Sequence, residues 1–149
     1  MVNSGENIKL EFKQLFLGEY EPNLTKGNRL ALPKKIREVL GSENTVILTR
    51  GFEGCIAGYT KNFWETESVK TLSSSVDDKR SRYLKRFLFS GAFEVEYDDQ
   101  GRIIIPKNLS ETAQLDANGV ILIGAGDHFE IWNKENWKKS IESAEKELL

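Results

Sequence analysis

The feature that most constrains this chain is an internal duplication. Laid on itself with a shift of 73 residues, "GEYEPNLTKGNRLALPKKIRE" (18–38) falls on "GAFEVEYDDQGRIIIPKNLSE" (91–111). Gly18 meets Gly91, Glu21 meets Glu94, Arg29 meets Arg102, Pro33 meets Pro106 and Lys34 meets Lys107. The match resumes at "IAGYTKNFW" (56–64) against "FEIWNKENW" (129–137), where Tyr59 meets Trp132 and Trp64 meets Trp137. Any fold of this chain has to place one local structure twice.

Each copy has the same punctuation. "EYEPNL" and "AFEVEY" alternate apolar and polar residues, the pattern of a half-buried strand. Turn residues follow, Thr25-Lys26-Gly27-Asn28 and Asp98-Asp99-Gln100-Gly101, then an aliphatic strand at Leu30–Leu32 or Ile103–Ile105, which makes a hairpin. Pro33 and Pro106 stand where a helix can begin, since a proline at the first helical position loses no hydrogen bond. Ile36, Val39 and Leu40 give the first of these short helices its apolar face, and Gly41 ends it. A second strand pair is predicted in each half, near Thr45–Thr49 with Cys55–Tyr59, and Gly119–Ile123 with His128–Trp132. Thr60 and Asn133 then cap a further helix. Between the copies, "TLSSSVDD" reads as a loop, and "DDKRSRYLKRFLFSGA" as a basic amphipathic helix capped by Asp77 or Asp78. The C-terminal helix carries Trp137, Ile141, Ala144 and Leu148 on one stripe.

Composition narrows the function. The 149 residues, 39% hydrophobic and 30% charged, describe one ordinary globular domain or two very small ones. No apolar run reaches ~18 residues, and "MVNSGENIKLEFKQLFLG" lacks the basic start and long apolar core of a secretory signal, so no membrane role is expected. Cys55 stands alone, which rules out an intramolecular disulfide and points to the cytoplasm. One His and one Cys leave little for a metal site or a nucleophilic triad, so no metal, no cofactor and no catalytic residue is expected. The net charge of −2 hides an asymmetry: residues 21–50 hold six basic residues against three acids, and those from 127 onward six acids against four bases. A phosphate-facing surface needs only such a local basic patch.

A strand, a turn ending in Arg, a strand, a Pro and a short helix, all in duplicate, resembles the MraZ family. The resemblance runs from about Phe16 to Leu149 and includes "LTRGFEGCI", "RFLFSGAFEVE", "GRIIIP" and "FEIW". It implies an α+β fold, a tandem duplicated AbrB-type swapped-hairpin β-barrel with short flanking helices. It implies a bacterial transcriptional regulator of the division and cell-wall gene cluster, cytoplasmic and nucleoid-associated. Such a protein would bind direct repeats in double-stranded promoter DNA as a ring homo-oligomer. The corresponding layout is an N-terminal extension at 1–15 with no assigned role, a first AbrB-like repeat at 16–66 and a connecting helical segment at 67–90. A second repeat at 91–138 and the end of the C-terminal helix at 139–149 complete it.

The family's marked motif is Asp-x-x-x-Arg. Copy two keeps it as Asp98…Arg102; copy one has Thr25…Arg29. Arg29 is the leading candidate for DNA contact from a hairpin tip, with Lys26, Asn28, Lys34, Lys35 and Arg37 around it. Arg102 joins this set, although Asp98 and Asp99 beside it favour an ion pair that braces the turn. The labour is therefore expected to be divided, copy one meeting DNA and copy two holding the assembly. Trp64 and Trp137 read as packing residues, Cys55 as core and His128 as a surface group. Basic residues 79–86 read as a solvated or subunit-contact face, and the apolar faces of the helices at 77–89 and 134–149 are candidates for subunit contact. Two rivals remain: a structural or protein-binding ring without DNA readout, and an enzyme using Glu96, Asp98 and Asp99. Carboxylates on an exposed tip lack the burial that tunes a catalytic pKa.

Overall fold

The structure, a computed structural model, describes residues 14–149; residues 1–13, most of the expected extension, lie outside the described residues. The elements in chain order are β1 (Glu19–Tyr20), β2 (Leu24–Thr25), β3 (Arg29–Ala31), α1 (Lys34–Leu40), β4 (Thr45–Arg50), β5 (Ile56–Tyr59), α2 (Lys61–Leu72) and α3 (Lys79–Ser90). Then come β6 (Phe93–Glu96), β7 (Arg102–Ile104), α4 (Lys107–Thr112), β8 (Val120–Gly124), β9 (Phe129–Asn133) and α5 (Lys134–Leu148), making a mixed α+β chain. Among the described residues no helix is long and apolar enough to cross a membrane.

The strands of the described residues form two antiparallel sheets, one ordered β1-β8-β9-β5-β4-β6 and one ordered β2-β3-β7. The copies are interleaved. β1 pairs with β8, β6 with β4, β5 with β9 and β3 with β7, so each of these ladders joins one half to the other. A pseudo-twofold axis relates the halves, and it passes the pairs Leu30↔Ile103 and Ala57↔Glu130, which exchange with themselves. The boundaries expected at 66 and 138 fall inside α2 and α5.

Register corrects the constant shift of 73. Tyr20 opposite Leu122 is answered by Phe93 opposite Leu48, so β4 and β8 correspond at 74, with Val46 matching Val120. The β4–β5 connection, which holds a single 3-10 turn at Phe52–Gly54, is one residue longer than the β8–β9 connection and restores the offset. Pro33 and Pro106 precede their helices by one residue, with extended ψ of 146° and 138°. They therefore act as caps, where φ near −65° suits the entry to the helix. α2 runs on through Leu72, so the loop expected at "TLSSSVDD" begins only at Ser73. Asp78, not Asp77, caps α3 by accepting from the Arg80 N–H at 3.2 Å.

The core repeats in matched pairs: Leu30 with Ile103, Leu32 with Ile105, Ile36 with Leu109, and Leu48 with Leu122, all buried. Removing each such side chain from water contributes about 1.5–3 kcal/mol. One layer breaks the symmetry by exchanging volume. Gly58 lies opposite Phe129, and a Cβ on Gly58 would come within 2.2 Å of the Phe129 ring. At the equivalent positions Ile131 and Ile56 share the space more evenly, facing each other across the same ladder.

Candidate nucleic-acid interface

The small sheet puts one face into the core and one into solvent, because side chains alternate along a strand. Leu30 and Ile103 point inward with no exposed area, while Arg29, Ala31, Arg102 and Ile104 take the outer face. Arg29 pairs across the ladder with Ile104, and Arg102 with Ala31. The two arginines are therefore diagonal neighbours, about 7–8 Å apart at Cα, with Ile104 standing 55% exposed beside them. The sequence assigned them separate labours; the fold brings them to one face.

Their turns differ in chemistry. In copy two, Oδ1 of Asp98 accepts from the backbone N–H groups of Gln100 and Arg102, each at 2.9 Å. Oδ2 accepts from Nε of Arg102 at 3.0 Å and pairs with its Nη2 at 3.0 Å. The Arg102 N–H, with its side chain and the Gln100 N–H, holds the Asp98 carboxyl below its ordinary value. Gly101 supplies the left-handed residue at φ 76°. In copy one, Gly27 and Asn28 are both left-handed, at 79° and 60°, a conformation Asn tolerates. The Thr25 hydroxyl only donates to the Arg29 carbonyl at 3.4 Å. Among the described residues the Arg29 guanidinium has no hydrogen-bond or ionic partner.

The other candidates separate into two groups. Lys26, Lys34 and Lys35 are exposed, at the tip and at the first turn of α1. Asn28 and Arg37 are half-buried and engaged. The Asn28 amide oxygen accepts from the Ser110 hydroxyl at 3.4 Å, and its carbonyl from the Ile105 N–H at 2.9 Å. Nε of Arg37 donates to the Leu32 carbonyl at 3.2 Å. The guanidinium lies over Gly101, where a Cβ would approach Nε to 2.5 Å. Each braces one hairpin tip against the other half: Arg37 of α1 against the tip at Gly101, and Asn28 at its own tip against Ile105 and against Ser110 of α4. Acids are also nearer than the sequence implied: Glu94, Glu96 and Asp98 line an open cleft of about 770 Å³ beside Arg29 and Arg102.

A second polar cluster escaped the sequence. His128 is no free surface group: Nδ1 lies 2.7 Å from Asp127 and Nε2 lies 2.8 Å from Glu130. The ring stacks on Tyr59 at 5.4 Å, and Nε1 of Trp132 donates to the other oxygen of Glu130 at 2.9 Å. A neutral imidazole has one N–H, so a carboxylate at each nitrogen favours the imidazolium. Burial pulls its pKa down, but the bonds to Glu130 and Asp127 outweigh that and hold it above its ordinary value. The spacing of His128 and Glu130 in the strand predicted at His128–Trp132, two residues apart and so on one face, was the available signal, although the strand itself begins at Phe129.

The sequence as a whole is similar to known proteins. A family model described as "MraZ protein, putative antitoxin-like" matches twice, at residues 15–87 and 88–148. A protein of Dictyoglomus thermophilum named Transcriptional regulator MraZ is 45% identical over 125 residues, covering 84% of this chain and 84% of its own. Its namesake in Roseiflexus castenholzii is 43% identical over 124 residues, covering 83% and 85%. The one in Halothermothrix orenii is 38% identical over 131 residues, covering 88% and 90%.

Proposed function

The chain belongs to the MraZ family, and on that premise we propose that it is a transcriptional regulator which grips direct repeats in the promoter of the division and cell-wall operon as a ring of identical subunits in the nucleoid. In this reading the interleaved sheets are the swapped-hairpin barrel of the fold. Residues 16–66 and 91–138 are its two repeats, joined by 67–90 and closed by 139–149.

The observation that carries the proposal is the pairing of Arg29 and Arg102 on one outward β-face. The major groove, about 12 Å wide, admits a β-ribbon, and bidentate Arg is its commonest reader of guanine. Arg102 arrives pre-aimed by Asp98, while Arg29 is left able to choose its partner. Lys26, Lys34 and Lys35 supply phosphate contacts, which position the ribbon without reading sequence. Lys34 and Lys35 occupy the first turn of α1, where no acid stands and the helix dipole disfavours a cation by about 0.3–1 kcal/mol. A local cost of this kind at an exposed site fits a functional demand. One subunit makes few contacts; a ring multiplies them through effective concentration.

A second reading draws on Glu94, Glu96 and Asp98 in the cleft beside the arginines: a protein-binding ring, with those carboxylates taking a basic partner. Anisotropy titration on operon promoter DNA at several salt concentrations separates the two. DNA binding gives log K falling by about 0.9 per phosphate contact with log salt. Arg29→Ala and Arg102→Ala should each cost about 1–3 kcal/mol and relax base preference. No binding to any promoter fragment at low salt overturns the regulator reading and leaves the protein-binding ring.

A further inference from the structure

Helices α2 and α5 are equivalent under the duplication, yet α2 packs against α3 whereas the main contacts of α5 are with β8 and β9. α3 lies with Phe89 edge-on to Trp64 at 5.9 Å. It is pinned to β4 by Thr49, which donates to the Leu88 carbonyl at 2.7 Å, and by Arg50, which donates to the Phe87 carbonyl at 2.8 Å. On α5 the corresponding stripe leaves Ile141 and Leu148 exposed, with Glu142 and Glu145 beside them.

α3 has more to offer than its contact with α2. Tyr83 is 56% exposed, and Phe87, also exposed, carries Phe52 stacked on it at 5.9 Å. Arg80 and Arg86 stand three residues to either side of Tyr83, adjacent to it on a helix surface. Neither is in a salt bridge among the described residues. Five basic residues lie between Lys79 and Arg86 with no acid among them. The end of α5 has the opposite balance, Glu142, Glu145 and Glu147 against Lys146.

Resting on the ring reading above, we infer that α3 of one copy docks on α5 of the next, head to tail. Tyr83 and Phe87 meet Ile141 and Leu148, and Arg80 and Arg86 face Glu142 and Glu145. The chemistry chooses the direction. An α3–α3 contact would set Arg80 and Arg86 against their own copies, whereas α3 against α5 matches opposite signs around an apolar centre. Two different surfaces make a heterologous contact, and such contacts close into rings when the rotation allows.

The test uses the full chain. Light scattering on wild type, Arg86→Glu, Glu145→Arg and the double variant should show a large assembly, two variants of several-fold lower mass, and recovery in the double. Tyr83→Cys with Ile141→Cys should then give, under mild oxidation, a covalent ladder beyond dimer, while neither single variant cross-links. Cys55 does not interfere, being buried. A dimer from either single cysteine variant overturns the head-to-tail pairing. So does a large assembly that ignores both charge reversals, although the ring itself then stands. A monomeric wild type removes the ring reading and this inference with it.

Discussion

The turns at Thr25–Arg29 and Asp98–Arg102 descend from one motif and end in the same residue, yet they are held in different ways. Asp98 takes two backbone N–H groups and the Nε–Nη2 edge of the Arg102 guanidinium, whereas Thr25 makes one long bond to a carbonyl. Below the tips the difference vanishes: Leu30 and Ile103 share the axis, equally buried. Duplication thus keeps the packing largely symmetric, the Gly58–Phe129 layer excepted, and lets the surface diverge, because a buried side chain is constrained by its twin and an exposed one is not.

The comparison can be broken in three places. The largest effect is expected in the shared core. Leu30→Ala and Ile103→Ala should each cost about 2–5 kcal/mol and match one another within error in urea denaturation. A large inequality means the axis does not pass between them. The tips come next and should respond unequally. Asp98→Ala should lower Tm by a few degrees and Thr25→Ala scarcely at all. Thr25→Asp should give Arg29 the brace Arg102 has and raise Tm slightly; unchanged Tm in all three would mean that Asp98 braces nothing. The smallest effect lies at His128, whose counterpart is Cys55. Its folded pKa is raised by Glu130 and Asp127, so its stabilisation is complete below the unfolded value of about 6.5 and fades as pH rises through the folded value. Stability of wild type relative to His128→Asn should shrink from pH 6 to pH 9; a difference independent of pH would remove the ion pairs from the account.

Much of this was legible in the sequence because it is local. The turns at the hairpin tips, the caps at Thr60 and Asn133, and the stripe on α5 each depend on residues near in sequence, whereas the strands expected to complete the hairpins, β1 and β6, pair instead with β8 and β4 of the other half. The Asp98–Arg102 brace was visible for the same reason, at four residues. What the sequence hid is contact between halves. Nothing within the stretch around Arg37 announces that its guanidinium covers Gly101, or that Asn28 reaches Ser110. The acids beside Arg29 belong to the other copy, so a count along 21–50 could not include them. The one-residue slip between β4 and β8 became visible only through strand register.

Interleaving also sets a clock. Glu19 finds its partner in Ile123, and β3 waits for β7. With synthesis at about 5–20 residues per second, the first strand spends roughly 5–20 seconds outside the ribosome before its neighbour exists. Through that interval the nascent first half carries Leu30, Ile36 and Leu48 without the chain that will bury them, and any other nascent copy offers a substitute. Ladders between distant segments already fold slowly, since loop closure comes before contact. Joining the two halves in one polypeptide shortens that search, making the right partner the next segment to emerge.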